Sequence, residues 1–307
     1  MHAVIVKKKK KINVRRGIFI ALMLAYPICH FLIFWLFVNI NTVVLSFKNP
    51  TTGALGFWHY KLFWNELTGE FGGTLRRTIV NSLLMLPFNN FILLPLSVIA
   101  AYLLFQKVLG HRVFRVVFFF PTMISIVVLT MVFQFMFNSD FGPVNSLLRA
   151  IGAGSVIPPN GWMGTKTVSM GMIMVYCLWA GIGYNVVLIT GAISRIPQDI
   201  FEAGRIDGIK MGRELWSVVV PLIYPTLSTL FVLGSTVVFT LFLQPKLLTA
   251  GGPNGTSQTI ALYVVSFVEG TQLERAAATG MVFSVIGVPV ILGIKRIMER
   301  FNPKCEF

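Results

Sequence analysis

The sequence predicts an all-α integral membrane protein with six transmembrane helices and both termini in the cytoplasm. Three observations predict this: the composition, a set of long charge-free runs, and the side on which basic residues fall. Of 307 residues, 55% are apolar and 12% charged, and the mean hydropathy is +0.76. These values exclude a soluble globular domain of this length. Six stretches hold no Asp, Glu, Lys or Arg: 18–38, 79–105, 116–137, 168–193, 218–243 and 276–294. A hydrocarbon core of about 30 Å takes roughly 20 helical residues to cross, so each stretch is long enough to span.

The net charge of +15 raises the question of nucleic acid, and its distribution answers it. With the first helix entering from the cytoplasm, the segments 1–17, 106–115, 194–217 and 295–307 lie inside. They carry 18 basic residues against 8 outside, while acidic residues divide 6 to 5. That bias in Lys and Arg alone is the positive-inside pattern. No segment outside the spans is large enough to form a nucleic-acid-binding surface.

Taken in order, the chain opens on a basic cytoplasmic segment, 1–17, with Lys7 to Lys11 followed by Arg15 and Arg16. The uncharged sequence after it runs to Phe47 without a small-residue cleavage pattern, so it reads as an uncleaved first helix and not a signal peptide. The connection from Asn39 to Thr78 carries Phe57, Trp58, Tyr60, Phe63 and Trp64, aromatics expected at the membrane interface. Pro27, Pro87, Pro95, Pro221, Pro225 and Pro289 fall inside spans and predict kinks. The membrane-spanning helical region is expected over 18–297, with a cytoplasmic tail at 298–307. Cys29, Cys177 and Cys305 are scattered, giving neither a disulfide framework nor a metal site.

The polar groups inside the spans are uncharged: Asn81, Asn89, Asn90, Gln134, Asn185, Thr236 and Thr240, with Trp179 and Tyr184 nearby. Amides, hydroxyls and aromatic rings suit a neutral polyhydroxylated solute, whereas proton-coupled carriers place a carboxylate or histidine at membrane depth. Asn89, Asn90, Trp179, Tyr184, Asn185 and Thr240 are therefore the candidate solute contacts. For each amide the competing reading is an interhelical hydrogen bond. His30 reads as a packing residue. The sequence has no phosphate-binding loop, not even a Gly-Lys dipeptide, and no metal-spaced or nucleophile-bearing motif. Uphill transport would need work supplied from elsewhere.

The loop between the fourth and fifth spans, 194–217, is the most informative segment. Ser194 is expected to cap a short helix with Pro197 in its first turn and Asp199 against its dipole, and Asp207-Gly208 breaks it before a second helix from about Lys210. Ile200, Phe201, Ala203, Gly204 and Ile206 give the first helix an apolar and small surface beside Glu202 and Arg205. So short a helix is not stable alone, and that surface fits a groove on another protein.

Glu202-Ala203-Gly204, then Asp207-Gly208, then Pro221 and Pro225 closely resemble the EAA motif of permeases of binding-protein-dependent ABC importers. Gly204 and Ile209 depart from the usual alanine, and Leu215 from a common aromatic. Thr78 to Ser82, Gly110 to Pro121, Phe137 to Leu148 and Thr249 to Pro253 resemble segments of the sugar-permease branch, similar to the maltose and glycerol-phosphate permeases, without the long outer insertion of the larger maltose-type subunit. Leu243 stands where many relatives have Asp. The resemblance implies a non-enzymatic transport subunit of a prokaryotic plasma membrane that imports a carbohydrate. It implies that Asp199, Phe201, Glu202, Ala203, Gly204, Arg205, Ile206, Asp207 and Gly208 form an ATPase-docking coupling helix, whose shape Glu202 and Asp207-Gly208 hold. The implied partners are a second, paralogous permease, two cytoplasmic ATPase subunits and an extracytoplasmic solute-binding protein. This chain would bind no cofactor itself, ATP and Mg belonging to the ATPases. A stand-alone six-helix channel or facilitator would explain the spans and amides but not the Glu202 to Pro225 pattern. A membrane-embedded enzyme lacks a visible catalytic pair.

Overall fold

A computed structural model describes residues 14–50, 52–69 and 73–301. Lys7 to Lys11, Cys305 and all but the start of the expected tail lie outside the described residues. Among the described residues there is no β-strand, only an isolated bridge between Lys48 and Leu55. Helix α1, Val14–His30, runs through a π segment at Phe31–Phe37 into α2, Val38–Phe47. This rod leaves nearly all its apolar side chains exposed, Ser46 being buried, and packs through α2. After a tight turn comes α3, Trp58–Thr68. The second span is α4, Gly73–Pro87, a π segment at Phe88–Leu93, and α5, Leu94–Phe105.

The third expected span is not straight. Helices α6, His111–Met123, and α7, Ile126–Met136, meet at 114°. Pro121 removes a backbone donor from the last turn of α6, and Ile124 and Ser125 are extended. Short helices α8, Pro143–Ala150, and α9, Gly161–Gly164, lead to the unbroken α10, Ser169–Ile193. Next come α11, Gln198–Ile206, α12, Met211–Glu214, a π segment at Leu215–Val219, α13, Val220–Leu222, and α14, Tyr224–Thr240. The fifth span is bent by 80° between α13 and α14, where Pro221 and Pro225 flank Ile223. Helices α15, Leu243–Thr249, and α16, Ile260–Glu269, precede α17, Leu273–Arg300. Among the described residues four helices are long and apolar enough to cross a membrane, six when each bent pair counts as one span.

Helix α10 is the central post, packed on α5 and α6; α14 packs on α4 and α17, and α17 on α2 and α16. At Gly183 the backbones of α10 and α6 nearly touch: an added Cβ would stand 2.1 Å from the Phe118 carbonyl oxygen. Only a residue without a side chain allows this approach.

The end of the bundle opposite the α10–α14 loop is held by polar staples. Asn81 Nδ2 donates to the carbonyls of Thr256 and Gln258, both at 3.0 Å, and Ser82 Oγ accepts from Ile260 N at 2.7 Å. Gln134 Nε2 donates to Leu247 O at 2.8 Å. Asn145 Nδ2 donates to Asn138 O at 2.7 Å, and its Oδ1 accepts from Trp162 Nε1 at 2.7 Å. These amides anchor irregular backbone that hydrocarbon would otherwise leave unpaired. Glu66 pairs with Arg275, which lies 4.2 Å from the Phe267 ring centroid, and accepts from the Tyr263 hydroxyl at 2.9 Å. Burial raises the Tyr263 hydroxyl above its usual pKa and the bond to Glu66 raises it further, so it remains a donor. Phe63, expected at the interface, is instead buried against Phe283, ring centroids 5.6 Å apart; Trp58 and Trp64 stay exposed.

Candidate functional sites: the interhelical pocket and the loop helix

At mid-length of α10 a pocket of about 380 Å3 opens between that helix, the π segment of the second span, the α6/α7 break and α14. Its wall is largely apolar, with Asn89, Tyr176, Tyr184, Asn185 and Gln244 supplying the polar groups. Volume and lining fit a small-molecule site. The Asn89 Nδ2 and the Tyr176 hydroxyl are buried and have no hydrogen-bond partner among the described residues. Asn185 Nδ2 reaches Ser97 Oγ only at 3.5 Å. Tyr184 is 56% exposed. Buried polar groups are normally paired, so Asn89 and Tyr176 are exceptions in the pocket wall, as Asn90 Oδ1 and Thr78 Oγ1 are outside it.

The π segment explains why two consecutive asparagines both face inward. Pro95 cannot donate to the carbonyl four residues back, and its ring crowds that carbonyl, so the ladder just before it slips to the wider turn. The extra residue keeps Asn89 and Asn90 both buried, though they face different partners. Asn90 Nδ2 donates to Ser235 Oγ at 2.9 Å, fastening the second span to α14.

Of the six candidate solute contacts, Asn89, Tyr184 and Asn185 line this pocket. Asn90 does not; it is the interhelical bond just described. Trp179 stacks on Phe133 with centroids 6.0 Å apart, inside an apolar cluster. Thr240 donates to Thr236 O at 3.2 Å and lines a separate apolar groove between α14 and α17. Its direction is set by helical rotation, which polarity alone does not reveal. Sequence reasoning missed Tyr176, Cys177, Gly181 and Gln244 in the lining. A signal was present: Tyr176, Ala180 and Tyr184, beside Cys177, Gly181 and Asn185, form two adjacent rows of four-residue spacing on α10.

The loop helix α11 has the predicted form with different caps. Ser194 does not cap it; the Ser194 hydroxyl donates to Thr190 O at 2.8 Å and closes α10, because Pro197 already occupies the cap position with extended backbone. Asp199 lies in the first turn, where its charge meets the dipole. At the far end Gly208 has φ +70°, Gly208 N bonds Arg205 O at 3.1 Å and Ile209 N bonds Gly204 O at 3.0 Å. This is a Schellman closure, and it demands glycine at 208.

Phe201 and Gly204 turn inward. Phe201 is buried in the cluster that contains Val186 and Val219 and lies against Phe105, centroids 5.3 Å apart. They hold the helix on the bundle and are not part of its outward face. A Cβ at Gly204 would meet only Ile209 Cδ1 at 3.8 Å, so alanine would fit. Glu202, Ala203, Arg205, Ile206, Asp207 and Gly208 are exposed, Ile206 at 86%. Glu202 has no hydrogen bond or ion pair within the described residues, so the Gly208 closure, not Glu202, keeps the shape. The result is a rigid, outward-facing helix whose inner side is welded to three spans.

A bundle of broken, apolar helices with one such helix docked at its end defines a membrane transport subunit. The family described as binding-protein-dependent transport system inner membrane component matches residues 93–306, and the chain belongs to that family. It is 28% identical over 279 residues to the multiple sugar-binding transport system permease protein MsmF of Streptococcus mutans, covering 89% of this chain and 92% of that protein. The structure superposes with a TM-score of 0.83 on a chain of a bacterial ABC transporter involved in the import of the acidic polysaccharide alginate, at 21% identity, covering 95% and 98% of the two chains. A second structure of a bacterial alginate ABC transporter, in complex with its alginate pentasaccharide-bound periplasmic protein, gives 0.81 at 20% identity, covering 94% and 97%.

Proposed function

We propose that this chain forms half of the translocation pathway of an ATP-driven carbohydrate importer, in the plasma membrane of a prokaryote, with the α10–α14 loop in the cytoplasm. The observation that carries the reading is the loop helix. An apolar Ile206 exposed at 86% beside charged Glu202 and Arg205, on a helix fastened from below, suits insertion into a groove of an ATPase subunit. Closure of two such subunits would drive α11 inward and move the bent spans, one two-state element serving both sites. The pathway half would be completed by a second, paralogous permease, and solute delivered by an extracytoplasmic binding protein. ATP and Mg would be bound by the ATPases and no cofactor by this chain.

The carbohydrate assignment is supported by the names of its relatives and by the pocket, whose aromatic and amide lining suits a neutral polyol. No basic residue lines it, which favours a neutral sugar over an anionic one. The test is copurification: the tagged chain, solubilised from its own cells, is expected to bring down a second permease, an ATPase and a solute-binding protein identifiable by mass spectrometry. Recovery of the chain alone, folded and monodisperse, would favour a facilitator instead.

A further inference from the structure

Glu214 is the only buried carboxylate among the described residues, 5% exposed. A buried carboxylate is costly unless its charge is met. No lysine or arginine among the described residues pairs with it. Its Oε1 instead accepts from the Tyr102 hydroxyl at 3.0 Å and from Gln106 Nε2 at 2.7 Å, and Gln106 Nε2 also approaches the Tyr102 oxygen at 3.0 Å. Both donors are neutral, and both stand at the cytoplasmic end of α5, more than a hundred residues away in sequence.

The position of this cluster is what gives it meaning. Glu214 ends α12 and is followed at once by the π segment and the bend of the fifth span. One turn from Tyr102, Phe105 meets Phe201 of the loop helix. The end of α5 is thus gripped twice by the loop, although the chain joins that loop only to α10 and α13. At the other end of α5 lies the π segment with Asn89, which lines the pocket. Packing alone would let apolar surfaces slide. A charged acceptor shared by two donors is directional and stronger than a neutral bond.

We propose that Glu214 is a positioning residue that makes α5 travel with the loop, so that a push on α11 reshapes the pocket through the second span as well as through the fourth and fifth. This rests on the ATP-driven reading above.

The test uses the complete transporter in proteoliposomes with its ATPase subunits and loaded binding protein, and reads ATP hydrolysed per molecule of solute imported. Glu214→Leu keeps the bulk and removes the acceptor; it is expected to raise that ratio about tenfold, the scale of losing a hydrogen bond to a charged group, while ATP hydrolysis continues. Glu214→Gln keeps an acceptor oxygen without its charge and is expected to fall between, with the ratio raised about threefold. A leucine variant whose import and hydrolysis fall together at constant ratio would make Glu214 a mere packing residue and overturn the proposal. Hydrogen exchange judges the clamp independently of transport: in Glu214→Leu the amides of 102–106 and 211–215 are expected to exchange faster together. Unchanged exchange overturns the clamp, whereas wild-type transporter lacking ATP-dependent uptake overturns the importer reading.

Discussion

Asn90 and Tyr184 show how differently two polar residues within apolar spans can be placed. Asn90 donates its amide to Ser235 and so ties two spans together; Tyr184 stands 56% exposed in the pocket wall without a hydrogen bond among the described residues, where our proposal places the solute. Asn90→Leu is expected to destabilise the detergent-solubilised protein by about 1 kcal/mol, because Ser235 Oγ loses the amide donor while keeping its own bond to Phe231 O. Tyr184→Ala is expected to leave the melting temperature within a degree or two and to raise the KM for uptake about tenfold, the scale of losing an aromatic platform. Thermal melts and uptake kinetics on the two variants check this, and a reversed pattern would show the assignments exchanged. At this scale the sequence was legible where chemistry is local. Asp207-Gly208 announced the helix closure because a Schellman motif is made by six neighbouring residues. The roles of Asn90, Trp179 and Thr240 were not legible, since the π segment and the helical rotations that aim them depend on the rest of the bundle.

Among the elements, the post α10 and helix α6 approach each other very closely at one residue. Gly183 lets the Phe118 carbonyl lie where any Cβ would stand, so the α6/α7 break is seated by backbone contact. Gly183→Leu is expected to push α6 off α10 and to lower stability by about 3 kcal/mol or more, beyond the usual cost of overpacking because the obstructing atom is backbone. Gly191→Leu, on the same helix with open space beside it, is expected to cost less than about 1 kcal/mol. Melting temperatures in detergent separate the two, and equal losses would contradict the close approach. The unbroken α10 was readable nearly to the residue, as an uninterrupted apolar run between polar loops. The 114° turn between α6 and α7 and the 80° bend in the fifth span were not. Hydropathy counts apolar residues and proline marks a weakness, but neither states the angle, which neighbouring helices impose. The short helices α15 and α16 escaped notice for the related reason that they are too short to announce a span.

For the whole molecule, the apolar cluster of the loop end runs without interruption from Val186 and Val98 in the bundle to Phe201 and Leu215 in the loop. The loop is therefore part of the core, while the outer side of its helix is exposed. The composition and the basic-residue asymmetry identified the membrane class, and one spaced motif identified the family. Neither could show that the loop and the pocket share the second span, because that link is made by contacts a hundred residues apart. In the proposed mechanism, work done on the loop drives solute through the bundle. ATP-dependent uptake of labelled sugar into proteoliposomes, with and without the ATPase subunits, tests it most directly. Uptake against a gradient is expected only when the ATPases are present, and is expected to be abolished by Gly208→Val although the variant still inserts and assembles. Uptake of equal rate and extent without the ATPases would contradict it.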